Sequence, residues 1–392
     1  MDVGVPLAIN HLQISCPMAQ ISTRKIPGQS VVIVGGGLAG LIGAILLNRA
    51  GFAVTIVEKK QYPFHRVCGE YISNEVLPFF KKLGVKLSEL EPSKISRLRI
   101  SSVSGRTFDA ALDLGGFGIS RYILDNLLYQ KASAEGVNVI FTKANQIEFA
   151  EGCFTINLSN NKHLAADYLI GAYGKRSNLD KNREFFYQRS HYIGVKYHIA
   201  TDFPINLVQL DNFEGGYCGT VKIEGNKYNL CYLSKNEHLK KLGSIEALEK
   251  EILYQNPNLK RIFNHSDFLY AKPEVINEIS FSPKPLIENH MLFCGDAAGM
   301  ISPLCGNGMA MAIHSGKILA ETIIEFQNAP RETLEAAYTF RWKQLFQRRL
   351  LAGRITQKLF GSKLISEIAV ASLSNIKPVS NFIMKQTHGV PF

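Results

Sequence analysis

The sequence predicts an α/β protein with three parts: a parallel-stranded dinucleotide-binding unit, an inserted and mostly antiparallel β-sheet, and C-terminal helices. Three observations carry this. Residues 31–60 read as strand, glycine turn, helix, strand and acid. From about 190 to 282 strand patterning dominates. Residues 290–323 then return to a buried strand, a Gly-rich turn and a long helix.

The first stretch opens on an apolar run, Val31 to Val34, which reads as a buried parallel strand. It stops at Gly35-x-Gly37-x-x-Gly40. Gly35 lets the chain turn tightly, Gly37 lets the backbone approach a pyrophosphate, and Gly40 lets the helix lie close on the strand. The helix N-terminus offers free N–H groups and a positive dipole end to phosphates. Glu58 lies 18 residues past Gly40, at the tip of the second strand, where an acid accepts hydrogen bonds from a ribose. Lys59 beside it joins the candidate cofactor residues.

Residues 61–73 (QYPFHRVCGEYIS) read as a loop. In it Arg66 adds positive charge and Gly69 allows close backbone approach. Ser73 or Asn74 caps a helix running toward Gly84. Residues 95–109 alternate like strands. Residues 118–141 read as a turn, an amphipathic helix (Leu124, Leu127, Leu128) and a strand. Arg121 opens that helix, and two readings stay open for it: contact with the cofactor, or an ion pair with Asp125 one turn on. Residues 145–149, 153–158 and 164–170 read as a β-meander leading into GAYGKRS.

The insertion carries strands at 191–200, 206–211, 216–223, 226–234 and 268–280, with a helix near 244–255. Tyr217 and Cys218 are its candidate substrate-pocket residues. The returning segment FCGDAAGMISPLCGNGM puts Asp296 at a strand end and lets Gly306 and Gly308 open a helix. An acid there accepts a hydrogen bond from a ribityl hydroxyl, and the helix N-terminus faces the electron-rich edge of a flavin. The expected units are residues 29–180 with 283–330, the insertion 181–282, and helices over 331–392. Residues 1–28 read as a disordered extension, with Met18 an alternative start.

Composition narrows the function classes. Lys and Arg number 44 against 33 Asp and Glu, a net charge of +11, yet no nucleic-acid motif accompanies the charge, so no such partner is expected. No run of 18 apolar residues suggests a membrane span. The seven cysteines (16, 68, 153, 218, 231, 294, 305) are scattered with no CxxC, which argues for a reducing, cytoplasmic setting and against structural zinc. Cys305 reads as a packing residue. Histidines 65, 191, 198 and 314 lack metal-ligand spacing and read as structural or surface residues; no metal is expected.

On these motifs, together with CGE (68–70), SRYILD (120–125) and GDAAGMISPLCGNGMAMAIHSG, the chain resembles a superfamily of FAD-dependent enzymes. It contains aromatic hydroxylases, flavin halogenases and geranylgeranyl reductases, the last being the nearest local likeness. The resemblance implies a Rossmann-like FAD-binding domain with an inserted substrate sheet, as in the aromatic-hydroxylase fold. It implies that Ala39, Glu58, Cys68, Gly69, Tyr71, Arg121, Asp296, Gly308 and Met309 hold FAD. No residue stands out as a general acid or base. Electrons would come from NAD(P)H or a reductase partner, with no separate nicotinamide-binding domain.

Three departures matter. Hydroxylases carry Asp-Gly where this chain has Tyr173-Gly174. The halogenases' WxWxIP motif is absent, since Trp342 is the one tryptophan. GGYCGTVKI (215–223) stands where archaeal geranylgeranyl reductases carry an aromatic-rich substrate motif. The leading reading is a monooxygenase acting on a small apolar or phenolic substrate. The alternatives are reduction of isoprenoid double bonds and a non-enzymatic flavin-binding scaffold.

In the C-terminal helix, Phe340, Leu345, Phe346, Leu350, Leu351, Ile355 and Leu359 recur at helical spacing. Arg341, Lys343, Arg348, Arg349, Arg354 and Lys358 supply positive charge. Two readings stay open: an apolar face packed on the FAD unit with the charges in water, or peripheral contact with the inner face of an anionic membrane.

Overall fold

The computed structural model describes residues 29–187, 192–300, 306–359, 362–375 and 389–392. The expected extension with Met18, together with Cys16, His191 and Cys305, lies outside the described residues.

The chain runs β1 (Ser30–Val34), α1 (Leu38–Arg49), β2 (Ala53–Glu58), β3 (Tyr71–Ser73), α2 (Leu77–Leu83), β4 (Ser93–Ser101), β5 (Thr107–Gly118), α3 (Arg121–Ala134) and β6 (Asn138–Phe141). Next come β7 (Ala144–Ala150), β8 (Cys153–Leu158), β9 (His163–Ala166) and β10 (Tyr168–Gly171). The middle holds β11 (Tyr192–Ala200), β12 (Leu207–Phe213), β13 (Gly216–Lys222), β14 (Tyr228–Lys235), α4 (Asn236–Leu242), α5 (Ile245–Glu251), α6 (Pro257–Asn264), β15 (Asp267–Phe268) and β16 (Glu274–Ile279). The last part holds β17 (Ile287–Glu288), β18 (Met291–Phe293), α7 (Gly308–Phe326), α8 (Arg331–Leu359) and α9 (Lys363–Asn375).

Apolar runs at β1, β2, β10 and β18 make a six-stranded sheet in the order β17-β18-β10-β1-β2-β6. It is parallel except for β17 against β18. The strand order turns around at β1, with β2 on one side and β10 on the other. Ligands of such sheets sit beyond the carboxyl ends of the strands at that point. The Gly35 turn, Glu58, Ala172 and the Asp296 turn all follow carboxyl ends. Helix α1 is apolar nearly all round and is buried between the sheet and α7. A side chain on Gly316 of α7 would overlap the Ala39 backbone, so glycine there lets the two helices touch.

The second sheet has nine strands, in the order β15-β11-β14-β13-β12-β4-β5-β3 with β16 on β11. It recruits β3, β4 and β5, which fall in the sequence range assigned to the nucleotide-binding unit. Parallel pairing of β12 with β4 (Leu210 opposite Ile100) joins them. Helices α5 and α6 cover one face through Val195, Tyr197, Leu230 and Tyr232. The other face turns toward the nucleotide-binding unit.

Several expected elements divide. The 164–170 strand is two strands in different sheets: β9 closes the meander, and β10 enters the parallel sheet. Asp167 between them accepts hydrogen bonds from Ser30 N (2.7 Å) and Ser30 Oγ (2.9 Å), which anchors the break. The 268–280 strand is β15 and β16. The helix near 244–255 is α5 and a 3-10 turn, flanked by α4 and α6. The expected single apolar face of α8 also divides: Phe346 and Leu350 are buried, whereas Phe340, Leu345, Leu351 and Ile355 are exposed.

Candidate active site

The glycine turn shows which glycines the fold itself requires. Gly35 has φ +108°, and its backbone lies against Ala172. A Cβ on Gly40 would overlap the Gly35 carbonyl oxygen. Gly37 is different. It precedes α1 with extended backbone (φ −84°, ψ −174°), and a Cβ there would meet only Arg121 Nη2, at 3.6 Å. Around a Cβ on Gly69 there is nothing within 4 Å. Open space beside Gly37, at the N-terminus of α1, is a cradle that a phosphate fits, and the Gly69 backbone in the 61–70 loop is open as well. Ala39, just inside α1, is buried and packs on Gly316.

Glu58 is buried at the end of β2. It accepts hydrogen bonds from Gly36 N (2.9 Å) and Lys60 N (3.1 Å) and an ion pair from Arg66 (3.2 Å). The acid therefore braces the glycine turn. Lys59 is exposed beside it. Tyr62, not singled out from the sequence, donates its hydroxyl to Gly36 O and stacks on Tyr129 with ring centroids 4.5 Å apart. Phe64 and Phe141 complete an aromatic wall there.

Arg121 opens α3 after the N-cap Ser120, whose Oγ accepts from Ile123 N. Both readings of this arginine meet in one geometry. It pairs with Asp125 through two bonds of 2.6 and 2.7 Å, but the pair is buried rather than on the surface, and Nη2 faces Gly37. Burial works against the guanidinium charge, and Asp125 more than restores it, so its pKa is raised. Asp125 also takes Arg66 Nε at 3.0 Å, and Arg66 lies over the Phe64 ring at 4.3 Å. Cys68 and Asp296 both lie within the field of Arg121.

The second turn follows β18. Gly295 has φ +61° and its N–H donates to Ser315 Oγ at 3.1 Å. Lys284 Nζ donates to the carbonyls of Asp296 (2.8 Å) and Lys175 (2.7 Å), tying this turn to the Tyr173-Gly174 turn. Burial lowers the Lys284 pKa to about 8. Gly306 has φ +62°, and its Cβ position lies 3.2 Å from the Tyr71 ring. The Tyr71 hydroxyl is buried with no hydrogen-bond partner among the described residues, a polar atom that a bound cofactor could satisfy. Gly308 starts α7, and Met309 is buried behind it. Gly295, Asp296, Gly308, Met311, Trp342 and Phe346 line a small cavity here.

Strand alternation decides what the second sheet presents. Tyr217 lies on the face toward the Asp296 turn, where Leu210, Leu233 and Ile279 pack with Met300. Cys218, its neighbour, necessarily points the other way, into the cluster under α5 and α6, so it does not line this face. The thiol on this face of the sheet is Cys231, whose pKa burial pushes up to about 12, leaving it a neutral and weakly reactive thiol.

A buried polar chain was missed. Lys196 Nζ donates to Glu70 Oε1 (2.5 Å), His198 Nε2 lies 2.6 Å from Glu70 Oε2, and Arg121 N donates to Glu70 Oε1 (2.9 Å). Tyr270 Oη then links His198 Nδ1 (2.7 Å) to His65 Nε2 (3.1 Å). Burial opposes the Glu70 charge, but Lys196 and His198 hold its carboxyl below the ordinary range. The chain fastens the 61–70 loop to β11 and to α3. Its signal in the sequence is GVKYHI, where Lys196 and His198 alternate with apolar residues and so share one face.

This fold, with two glycine turns converging at the carboxyl ends of a parallel sheet, defines an FAD-dependent oxidoreductase. The family described as FAD binding domain matches residues 29–207. The digeranylgeranylglycerophospholipid reductase of Methanosarcina acetivorans is 24% identical over 341 residues, covering 80% of each chain. Conditioned medium factor receptor 1 of Dictyostelium discoideum is 22% identical over 76% of this chain, which spans 64% of that protein's length. The solved structure of a flavin-dependent brominase superposes with a TM-score of 0.75 at 18% identity, covering 91% of this chain and 92% of the other. By these likenesses the chain is an FAD-dependent oxidoreductase, similar in sequence to geranylgeranyl reductases and in fold to flavin halogenases.

Proposed function

We propose that the chain is a flavin monooxygenase that oxygenates a small apolar or phenolic substrate. The observation that carries this is the meeting of Leu210, Tyr217, Leu233 and Ile279 with Met300, four residues past Asp296. It gives an apolar, aromatic-edged cluster beside the cofactor turn, the kind of lining that suits an apolar or phenolic substrate. FAD would be held by the Gly37 and Gly69 backbone, Glu58, Arg121, Asp296 and the N-terminus of α7, and would supply the redox chemistry. The protein's own residues bind and orient. The positive end of α7 favours negative charge on a bound ring. The Glu70–Lys196 pair holds the 61–70 loop in place. The apolar sheet face keeps water from the substrate.

Among the described residues, 192–279 form one mostly antiparallel sheet with its helices and no second nucleotide-binding sheet. Electrons would therefore arrive from NAD(P)H docking transiently or from a partner reductase. The sequence likeness to the archaeal reductase favours a second reading, hydride transfer to an isoprenoid double bond. The two separate in one experiment. Purified protein is given NAD(P)H with phenolic and polyprenyl compounds, with and without oxygen. Oxygen-dependent turnover that adds an oxygen atom to the product supports the monooxygenase. Anaerobic turnover in which a polyprenyl substrate gains two hydrogens overturns it.

A further inference from the structure

We infer that the outer face of α8, continued by α9, is a docking surface for an anionic lipid bilayer. The helix has two faces with different tasks. At helical spacing, Tyr338, Trp342, Phe346 and Arg349 point inward and are buried. Phe340, Leu351 and Ile355 share the opposite stripe and are 67%, 53% and 56% exposed. Lys343 and Arg348 flank that stripe and are exposed too. Helix α9 adds Leu364, Ile365 and Ile368, all exposed. Of the sixteen large exposed apolar residues among those described, seven lie between 340 and 368. Scattered singly, such residues need no explanation; gathered in this way they mark a contact surface.

Charge selects the occupant. Residues 340–368 hold seven Lys and Arg against one acid, a balance of +6 out of the chain's +11. The one acid, Glu367, is turned onto the protein, accepting from Ser104 N at 2.8 Å. Arg341 and Arg349 are engaged by Glu325 and Glu75. Lys343 and Arg348 remain beside the apolar stripe. Exposed apolar side chains set among exposed cations match an interface with acyl chains below and anionic headgroups above. Among the described residues, no helix is long and apolar enough to cross a membrane, so the contact is peripheral. Trp342 and Phe346, on the inner face of the same helix, line the cavity beside Asp296 and Gly308. The helix that bears this surface thus borders, on its inner face, the site proposed for the cofactor. The docking itself does not rest on the monooxygenase reading.

The test is co-sedimentation of the full chain with vesicles. One set is neutral phosphatidylcholine; the other contains about one-third phosphatidylglycerol. The inference expects binding to the anionic vesicles at low salt, and release at high salt as screening removes the attraction. Replacing Lys343 and Arg348 by Gln should lower partition about fivefold each, about 25-fold together. Leu351→Gln with Ile355→Gln should weaken binding on the same vesicles. Unchanged Trp342 emission and flavin absorbance in these variants show that the fold and the cofactor site are intact. Failure to sediment at low salt overturns the inference, as does equal binding to neutral vesicles or full binding by the neutralised variant. A dimer in light scattering that Leu351→Gln dissociates would mean that a second copy covers this face, which also overturns it. None of these readouts depends on turnover, so the proposed reaction can fail while the docking stands.

Discussion

Two glycines of one motif, three residues apart, should fail in opposite ways when given a side chain. Gly37 has extended backbone that any residue can adopt, and a Cβ there has Arg121 Nη2 at 3.6 Å as its only near neighbour. Gly37→Val should therefore cost the cofactor-free protein no more than about 1 kcal/mol, the difference between glycine and an apolar residue at an N-cap. Its branches would occupy the space left for a pyrophosphate, so FAD retention should vanish. Gly40→Ala is the reverse case. Its Cβ would overlap the Gly35 carbonyl oxygen and crowd the Ala172 side chain at 3.2 Å, forcing α1 off β1. Overpacking of this kind costs about 2–3 kcal/mol. The assay pairs thermal melts of cofactor-stripped protein with flavin absorbance and a fluorescence titration of added FAD. Wild-type protein should be stabilised by added FAD through mass action, Gly37→Val should melt close to stripped wild type and ignore FAD, and Gly40→Ala should melt clearly lower even when stripped. If Gly37→Val held stoichiometric FAD, the cradle would lie elsewhere and the assignment of the Gly37 turn would fall.

The buried Glu70–Lys196 pair should show strong coupling. Glu70→Gln leaves the Lys196 ammonium without its counter-charge and should cost about 3 kcal/mol in urea unfolding, whereas adding Lys196→Met should return part of that loss; simple additivity would refute the pairing. Because Glu70 sits below its unfolded pKa, its contribution is full above about pH 4.3 and is lost as pH falls through the lower folded value, so Glu70→Gln should flatten the acid limb of a stability profile. Lys284 has the opposite sign. Its folded pKa of about 8 lies below the free-lysine value, so the unfolded chain holds the extra proton between those limits and stability should rise as pH climbs through that window. The gap is worth about 3 kcal/mol, and urea midpoints at pH 7 and pH 10 should show a rise that Lys284→Met lacks.

The parts legible in the sequence were those set by short-range geometry. Gly35, Gly40 and Glu58 lie within one strand–turn–helix–strand unit, and the Asp296 turn repeats that logic in one segment. Three things escaped. The recruitment of residues 71–118 into the far sheet depends on β4 finding β12 about a hundred residues later, and no local pattern states such a pairing. Cys218 and Tyr217 are equivalent as composition, and only the pleat separates them. In α8 both faces carry large apolar residues, so periodicity could not tell which face is covered; that is decided by Trp342 packing over Gly299. The Glu70 chain joins three segments, each ordinary alone.

The pairing of β10 with β18 also fixes an order of events during synthesis. Strand β1 can align with β2 early, but the far side of the parallel sheet closes only when Leu292 meets Ile170, after the whole insertion has left the ribosome. The Asp296 turn and the N-terminus of α7 emerge later still. A nascent chain therefore carries half a cofactor cradle through most of its translation, with the apolar edge of β10 unpaired. Flavin capture would be among the last steps of maturation. Chains that stall or are cut between residues 180 and 290 would keep the glycine fingerprint and yet stay colourless, exposing a sheet edge that protein quality control can recognise.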